Sequence, residues 1–224
     1  MTARSEIVSV SADDEIQKIL QQADSGTFVI FDYNGVIVTS NDDFQKNKNM
    51  LKDLVGYFEQ TLGKSKSDEL LANVKKQSDW KLLNPDWPEI ISQLQSIGAK
   101  TLLLTACRTG KIGEIYAEDL RIKEVKDFGI DFSKSWKNFP TTQFTNFSIS
   151  SGDGYPLFKS GILFSSFIDK GSVLKEFLKY FQLKPKKIIF IDDALKNVLS
   201  VQKVCSELDI SYIGIEYTKA HDKN

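Results

Sequence analysis

Three short apolar runs constrain this chain most, because each stops abruptly at a polar or acidic residue. They are residues 27–31, which end at Asp32, residues 101–104, which end at Thr105, and residues 187–191, which end at Asp192-Asp193. Their Val, Ile, Leu and Phe content without polar alternation fits strands buried on both faces. Amphipathic helices separate them. One opens at Trp87-Pro88-Glu89, points Ile90, Ile91, Leu94 and Ile97 inward and stops at Gly98. Others are expected at about 112–126, at Val173, Leu174, Phe177, Leu178 and Phe181, and at about 195–208, ahead of a last strand at 211–215. This alternation predicts an α/β fold, a Rossmann-like parallel sheet flanked by helices. Such a sheet gathers its strand ends on one edge, where ligands bind.

Elsewhere the pattern is more local. Ser11 can cap a helix over 12–23, with Asp13, Asp14 and Glu15 at its positive end and Ile16, Ile19, Leu20 and Ala23 as its stripe. Residues 40–82 form a polar helical insertion. Phe44, Leu51, Leu54, Val55, Phe58 and Leu62 mark one helix that Gly63 can end, and Ser67 can cap a second with Leu70, Leu71 and Val74. The pair reads either as a small cap over a site or as helices on the flank. Residues 144–149 and 157–164 read as a hairpin across Ser151-Gly152-Asp153-Gly154. Without repeats or low-complexity linkers, residues 1–224 read as a single domain.

Composition narrows the chemistry. The net charge of -1 gives no reason to expect nucleic acid or a membrane surface as the main partner. No apolar run approaches the ~20 residues of a membrane span, and residues 1–11 lack the apolar core of a secretory signal. Cys107 and Cys205 have no metal-site spacing and read as small reduced thiols. His221 is the sole histidine and lies in a charged tail, which excludes a His-based triad or a multi-His zinc site. Catalysis would have to use carboxylates, lysine, hydroxyls or an oxygen-bound metal.

Asp32 stands where a strand leaves the core, followed by the turn residues Asn34 and Gly35. Taken alone, this is equally a strand ending in an Asx turn. Carboxylates from separate loops, Asp32 with Asp192 and Asp193, suit a hard cation such as Mg²⁺. Thr105, Lys170 and the backbone N–H groups at Asn34 and Gly35 suit a phosphoryl group. Asp32 would then be free to attack phosphorus.

At these residues the chain resembles the phosphatase branches of the haloacid dehalogenase-like (HAD) superfamily. The family's strand followed by Asp-x-Asp-Gly is similar to Phe31-Asp32-Tyr33-Asn34-Gly35-Val36, and its strand ending in Thr or Ser is similar to Leu102-Leu103-Leu104-Thr105. Its lysine matches Lys170 in Asp-Lys-Gly, and its strand ending in paired acids matches Ile188-Ile189-Phe190-Ile191-Asp192-Asp193. The resemblance spans about residues 26–218. The segments Gly161-Ile162-Leu163-Phe164, Lys170-Gly171 and Asn197-Val198 are further similar to a poorly characterised branch found in intracellular bacterial pathogens. Some HAD proteins of such organisms are effectors, secreted into the host cell, that dephosphorylate phosphotyrosine. The resemblance implies a Mg²⁺-dependent phosphomonoester hydrolase with Asp32 as nucleophile. Thr105 and Lys170 would hold the phosphoryl group, Arg108 and Gly35 would contact substrate, and Asp192, Asp193 and the Asn34 carbonyl would join Asp32 around the metal. It also implies a phosphorylated substrate, with a phosphoprotein in view, and a location in the cytoplasm or in a host cell.

One position departs from the family. Asn34 stands where HAD phosphatases usually carry the Asp that protonates the leaving group, and an amide cannot deliver that proton. Three readings stay open: a slow phosphatase for good leaving groups, a catalytically impaired module that binds phosphorylated partners, and an engineered Asp-to-Asn substitution that traps substrate.

Overall fold

The computed structural model describes residues 4–40, 48–63, 66–67, 70, 79–112, 114–150 and 154–221. Along the chain run β1 (Ser5–Val10), α1 (Asp13–Leu20), β2 (Thr27–Phe31), β3 (Val38–Ser40), α2 (Lys48–Leu62), β4 (Trp80–Leu82), α3 (Trp87–Ser96) and β5 (Lys100–Thr105). Then follow β6 (Lys111–Ile112), β7 (Ile115–Tyr116), α4 (Ala117–Asp127), β8 (Thr142–Gln143), β9 (Leu157–Lys159) and β10 (Ile162–Phe164). Last come α5 (Lys170–Tyr180), β11 (Lys187–Asp192), α6 (Leu195–Glu207) and β12 (Ser211–Tyr217).

The fold is α/β, built on an eight-stranded sheet in the order β1-β12-β11-β2-β5-β10-β9-β8. Pairing is parallel from β1 through β10, and only β9 and β8 join antiparallel. The three runs that define the sequence are the middle of this sheet. β2 lies between β5 and β11, with Phe31 opposite both Leu103 and Ile191. Their unbroken apolarity has a direct cause, since side chains alternate between two cores. Val29, Phe31, Leu103, Ile189 and Ile191 face one core with Ile16, Trp87, Ile91 and Leu94, whereas Phe28, Ile30, Leu102, Leu104, Ile188 and Phe190 face the other with Leu174, Phe177, Val198 and Val201. Helices α1 and α3 therefore cover one face, α5 and α6 the other.

Five local expectations need correcting. Residues 5–10 form an edge strand paired with β12, which their polar content concealed. The first helix is capped at Ala12 without a side-chain hydrogen bond, not at Ser11, and ends at Leu20. The run 157–164 is itself a hairpin rather than one strand. It turns at Ser160 and Gly161, with φ of 53° and 76°, so β10 can pair parallel to β5. Thr142–Gln143, not 144–149, supplies the third strand of that corner, and residues 151–153 lie outside the described part. Finally, the helix expected from 112 begins at Ala117, behind a small β6–β7 ribbon.

In the insertion, α2 ends one residue before Gly63, whose φ is +77°, as the helix-stop reading anticipates. Most of the second expected helix, at 68–69 and 71–78, lies outside the described residues. The insertion leaves and returns through an antiparallel β3–β4 ribbon.

Candidate functional site

The chain leaves β2 at Asp32, crosses to β5 on one side and later returns to β11 on the other. A crevice opens at such a reversal, beyond the carboxyl ends of the strands. Asp32 follows β2, Thr105 ends β5, Lys170 begins the helix after β10, and Asp192 ends β11. Parallel pairing brings these four positions to one edge.

Lys170 is the centre of the cluster. Its Nζ lies 2.6 Å from Asp32 Oδ1 and 2.6 Å from Asp192 Oδ2. The lysine side chain is 3% exposed, Asp192 0% and Asp32 11%, so this is a buried ion pair rather than a surface one. Asp192 is also fixed through Oδ1, which accepts from Ala194 N–H and Asn197 Nδ2, both at 2.9 Å. Burial, with the charges of Asp192 and Asp193, outweighs the pull of the Lys170 ammonium and raises the Asp32 carboxyl to about 7. Burial works against the charged form of Lys170, yet the Asp32 and Asp192 carboxylates outweigh it and hold the ammonium above its ordinary range.

Asp193 completes the cluster. One oxygen from each of Asp32, Asp192 and Asp193 lies within 4.8 Å of the others. Asp32 and Asp192 thus share the Lys170 ammonium, and Asp193 adds a third carboxylate beside them. All-oxygen donors at this spacing could hold a hard divalent cation. His221, read from sequence as part of a charged tail, folds back against this acid: its Nε2 lies 3.1 Å from the Asp193 carbonyl oxygen and 3.4 Å from Oδ2.

The turn after Asp32 shows why Gly35 is a glycine. Its φ is +82°, and a Cβ there would lie 2.7 Å from the Asp193 carboxylate. Gly35 lets the two loops of the cluster touch. Its N–H, however, is donated to Val38 O at 2.8 Å, so it does not belong to an N–H row facing a phosphate, which corrects the sequence expectation. Asn34 is exposed at the tip of the same turn. Thr105 is buried, and its Oγ1 accepts from Cys107 N–H at 3.4 Å. Arg108 is half-buried in the following loop and engaged in interactions of its own.

Two supports were not legible in the sequence. The first clamps the turn from below. Tyr33 is fully buried, with the Arg121 guanidinium 3.6 Å over its ring and Arg121 paired to Glu124 at 2.9 Å. Trp87 Nε1 donates to Val36 O at 2.8 Å, tying the start of α3 to the same turn. The second support sets Lys170. Asp169 caps α5, accepting from Ser172 N–H at 2.8 Å and from Ser200 Oγ of α6 at 2.6 Å. Gly171 lets the helices meet, because a Cβ there would come within 2.5 Å of the Ser200 carbonyl oxygen and 2.8 Å of its carbon. Gly171→Ala should therefore force α5 off α6 and cost about 1–3 kcal/mol. The urea midpoint should fall with an unchanged m-value; an unchanged midpoint would show that the helices are not in contact here.

The family model described as "Protein of unknown function (DUF2608)" matches residues 9–224. A Chlamydia trachomatis protein named "Putative outer membrane protein" is 29% identical over 96% of this chain and 78% of its own length. An uncharacterized protein of Rickettsia prowazekii is 24% identical over 90% of this chain and 73% of its own. Another, from Rickettsia conorii, is 24% identical over 96% of this chain and 78% of its own. No helix among the described residues is long and apolar enough to cross a membrane.

Proposed function

We propose for this chain, which belongs to the DUF2608 family, a Mg²⁺-dependent phosphomonoester hydrolase of HAD-like type that works through an aspartyl-phosphate at Asp32. The observation that carries this reading is the cluster itself: Asp32 and Asp192 converge on a single buried ammonium at the reversal point of the sheet, and a carboxylate oxygen of Asp193 lies within 4.8 Å of one from each. Motif order in the sequence supports it.

In this reading an Asp32 carboxylate oxygen attacks phosphorus, an Asp32 O–P bond forms and the ester P–O bond breaks. The Lys170 ammonium and the Thr105 hydroxyl stabilise the phosphoryl oxygens. Asp192 and Asp193, with Asp32, would hold Mg²⁺, which when bound supplies positive charge to the transferring group. Asn34 delivers no proton, so the leaving group takes one from water, and activated aryl esters are favoured over alkyl ones. Water then hydrolyses the acyl phosphate.

A generic aryl phosphate tests the proposal. Turnover should require Mg²⁺ and stop with EDTA. A second reading rests on Asn34 alone: a module that binds phosphorylated partners without hydrolysis. Binding of a phosphate analogue in Mg²⁺ with no turnover of any ester would favour it. The phosphoprotein substrate belongs to the same proposal and is tested by a phosphopeptide panel against sugar phosphates and nucleotides. The outer-membrane name of the Chlamydia relative describes that protein. For this chain we keep the cytoplasm or a host cell as the proposed location, which fractionation of the source cells would check.

A further inference from the structure

Phe167 has no place in the site as described so far. It is 66% exposed, and no large apolar side chain among the described residues is more so. Isolated surface apolar residues are ordinary. This one is not, because of how its backbone is held and where. It lies on the turn 165–169 that joins β10 to α5, three residues before Lys170. Ser166 and Phe167 have φ of 49° and 64°, left-handed values that bulky L-residues rarely adopt.

The turn is fixed in that shape by the segment that follows Thr105. Ser165 N–H donates to Thr105 O at 2.8 Å, Phe167 N–H to Ala106 O at 3.2 Å and Ser166 N–H to Cys107 O at 3.3 Å. Ser166 Oγ is tied to Gly154 O from the other side. Phe167 is thus exposed on a turn that is hydrogen-bonded to the segment after Thr105 and leads into Lys170, the two groups read here as phosphoryl contacts, on a backbone that an unconstrained chain would avoid. Strained backbone of this kind persists where the surroundings over-determine it, and such places cluster at ligand-binding sites.

We infer that Phe167 is the specificity-determining wall for the leaving group, so that the site selects phosphomonoesters whose leaving group carries an aromatic ring. This rests on the reading of Asp32, Thr105 and Lys170 as the phosphoryl site. The ring face offers stacking or edge-on contact to an aryl group and nothing comparable to a methyl.

Two non-hydrolysable probes separate the terms: phenylphosphonate and methylphosphonate, titrated calorimetrically in the presence of Mg²⁺. Wild-type protein should bind the phenyl compound about three- to tenfold more tightly than the methyl one. Phe167→Ala should abolish that preference and leave methylphosphonate affinity unchanged, whereas Phe167→Tyr should keep it. Phe167→Gly should also lose the preference while melting at a higher temperature, since glycine accepts the left-handed backbone. A preference that survives in Phe167→Ala overturns the inference, as does its absence from the wild type. Equal loss of both probes in the Ala and Gly variants would assign Phe167 a purely structural role and overturn it too. Selective phenylphosphonate binding without turnover of phenyl phosphate would instead defeat the hydrolase reading and leave Phe167 in its role.

Discussion

Asp32→Asn is expected to lower aryl-phosphate turnover by about 10⁴-fold or more, the scale at which removal of an attacking group is felt when the rest of the site remains. The substitution keeps size and shape and removes only the charge and nucleophilicity. Its structural effect should run the other way. Asp32 and Asp192 share the Lys170 ammonium, and burial opposes the charged form of Asp32. Removing its charge leaves Lys170 paired with Asp192 at 2.6 Å and relieves repulsion from Asp192 and Asp193. The metal-free variant should therefore melt no lower than the wild type. Loss of activity at unchanged or higher melting temperature identifies Asp32 as the attacking group. A variant with wild-type turnover would remove the nucleophile assignment altogether.

The second large effect is a gain. Asn34→Asp should raise turnover of alkyl phosphates by about 10²–10⁴-fold, the usual worth of a positioned general acid. A nitrophenyl ester should gain much less, because its leaving group departs without a proton. The position suits the test. Asn34 is exposed at the tip of the turn, so the new carboxyl meets little desolvation cost and the fold should be unaffected. Magnesium affinity should also stay nearly constant if residue 34 offers the metal its backbone carbonyl. A variant that folds, binds Mg²⁺ and still turns over no ester would leave the binding module as the surviving reading.

Why was the middle of the sheet legible in the sequence and its margins not? Thr27–Phe31 and Lys187–Asp192 are buried on both sides, so every residue reports its environment through composition. Ser5–Val10 is an edge strand in which only Val10 is fully buried, and nothing in Ser-Glu-Ile-Val-Ser-Val distinguishes it from a polar leader. The β9–β10 hairpin was hidden because Ser160-Gly161 is a two-residue turn inside an apolar run. The site was legible where chemistry coincides with a strand end, as at Asp32, Thr105 and Asp192. It was illegible where position depends on the fold. No local pattern brings Arg121 over Tyr33, places the N–H of Gly35 inside its own turn, or holds Phe167 in a left-handed conformation.

The order of the strands has a consequence for synthesis. β2 is synthesised well before β11 yet sits between β5 and β11, and β11 pairs with it residue for residue from Lys187–Thr27 to Ile191–Phe31. Until residue 191 is available, one whole edge of a buried strand that is apolar apart from Thr27 has no partner. β1 waits longer, since its partner begins only at Ser211. Long-range pairings of this kind are slow, and an open apolar edge invites pairing with other chains. Nascent chains stopped before β11 should need a holding chaperone to stay soluble, and the cluster of Asp32, Lys170 and Asp192 can assemble only once residue 192 has been made.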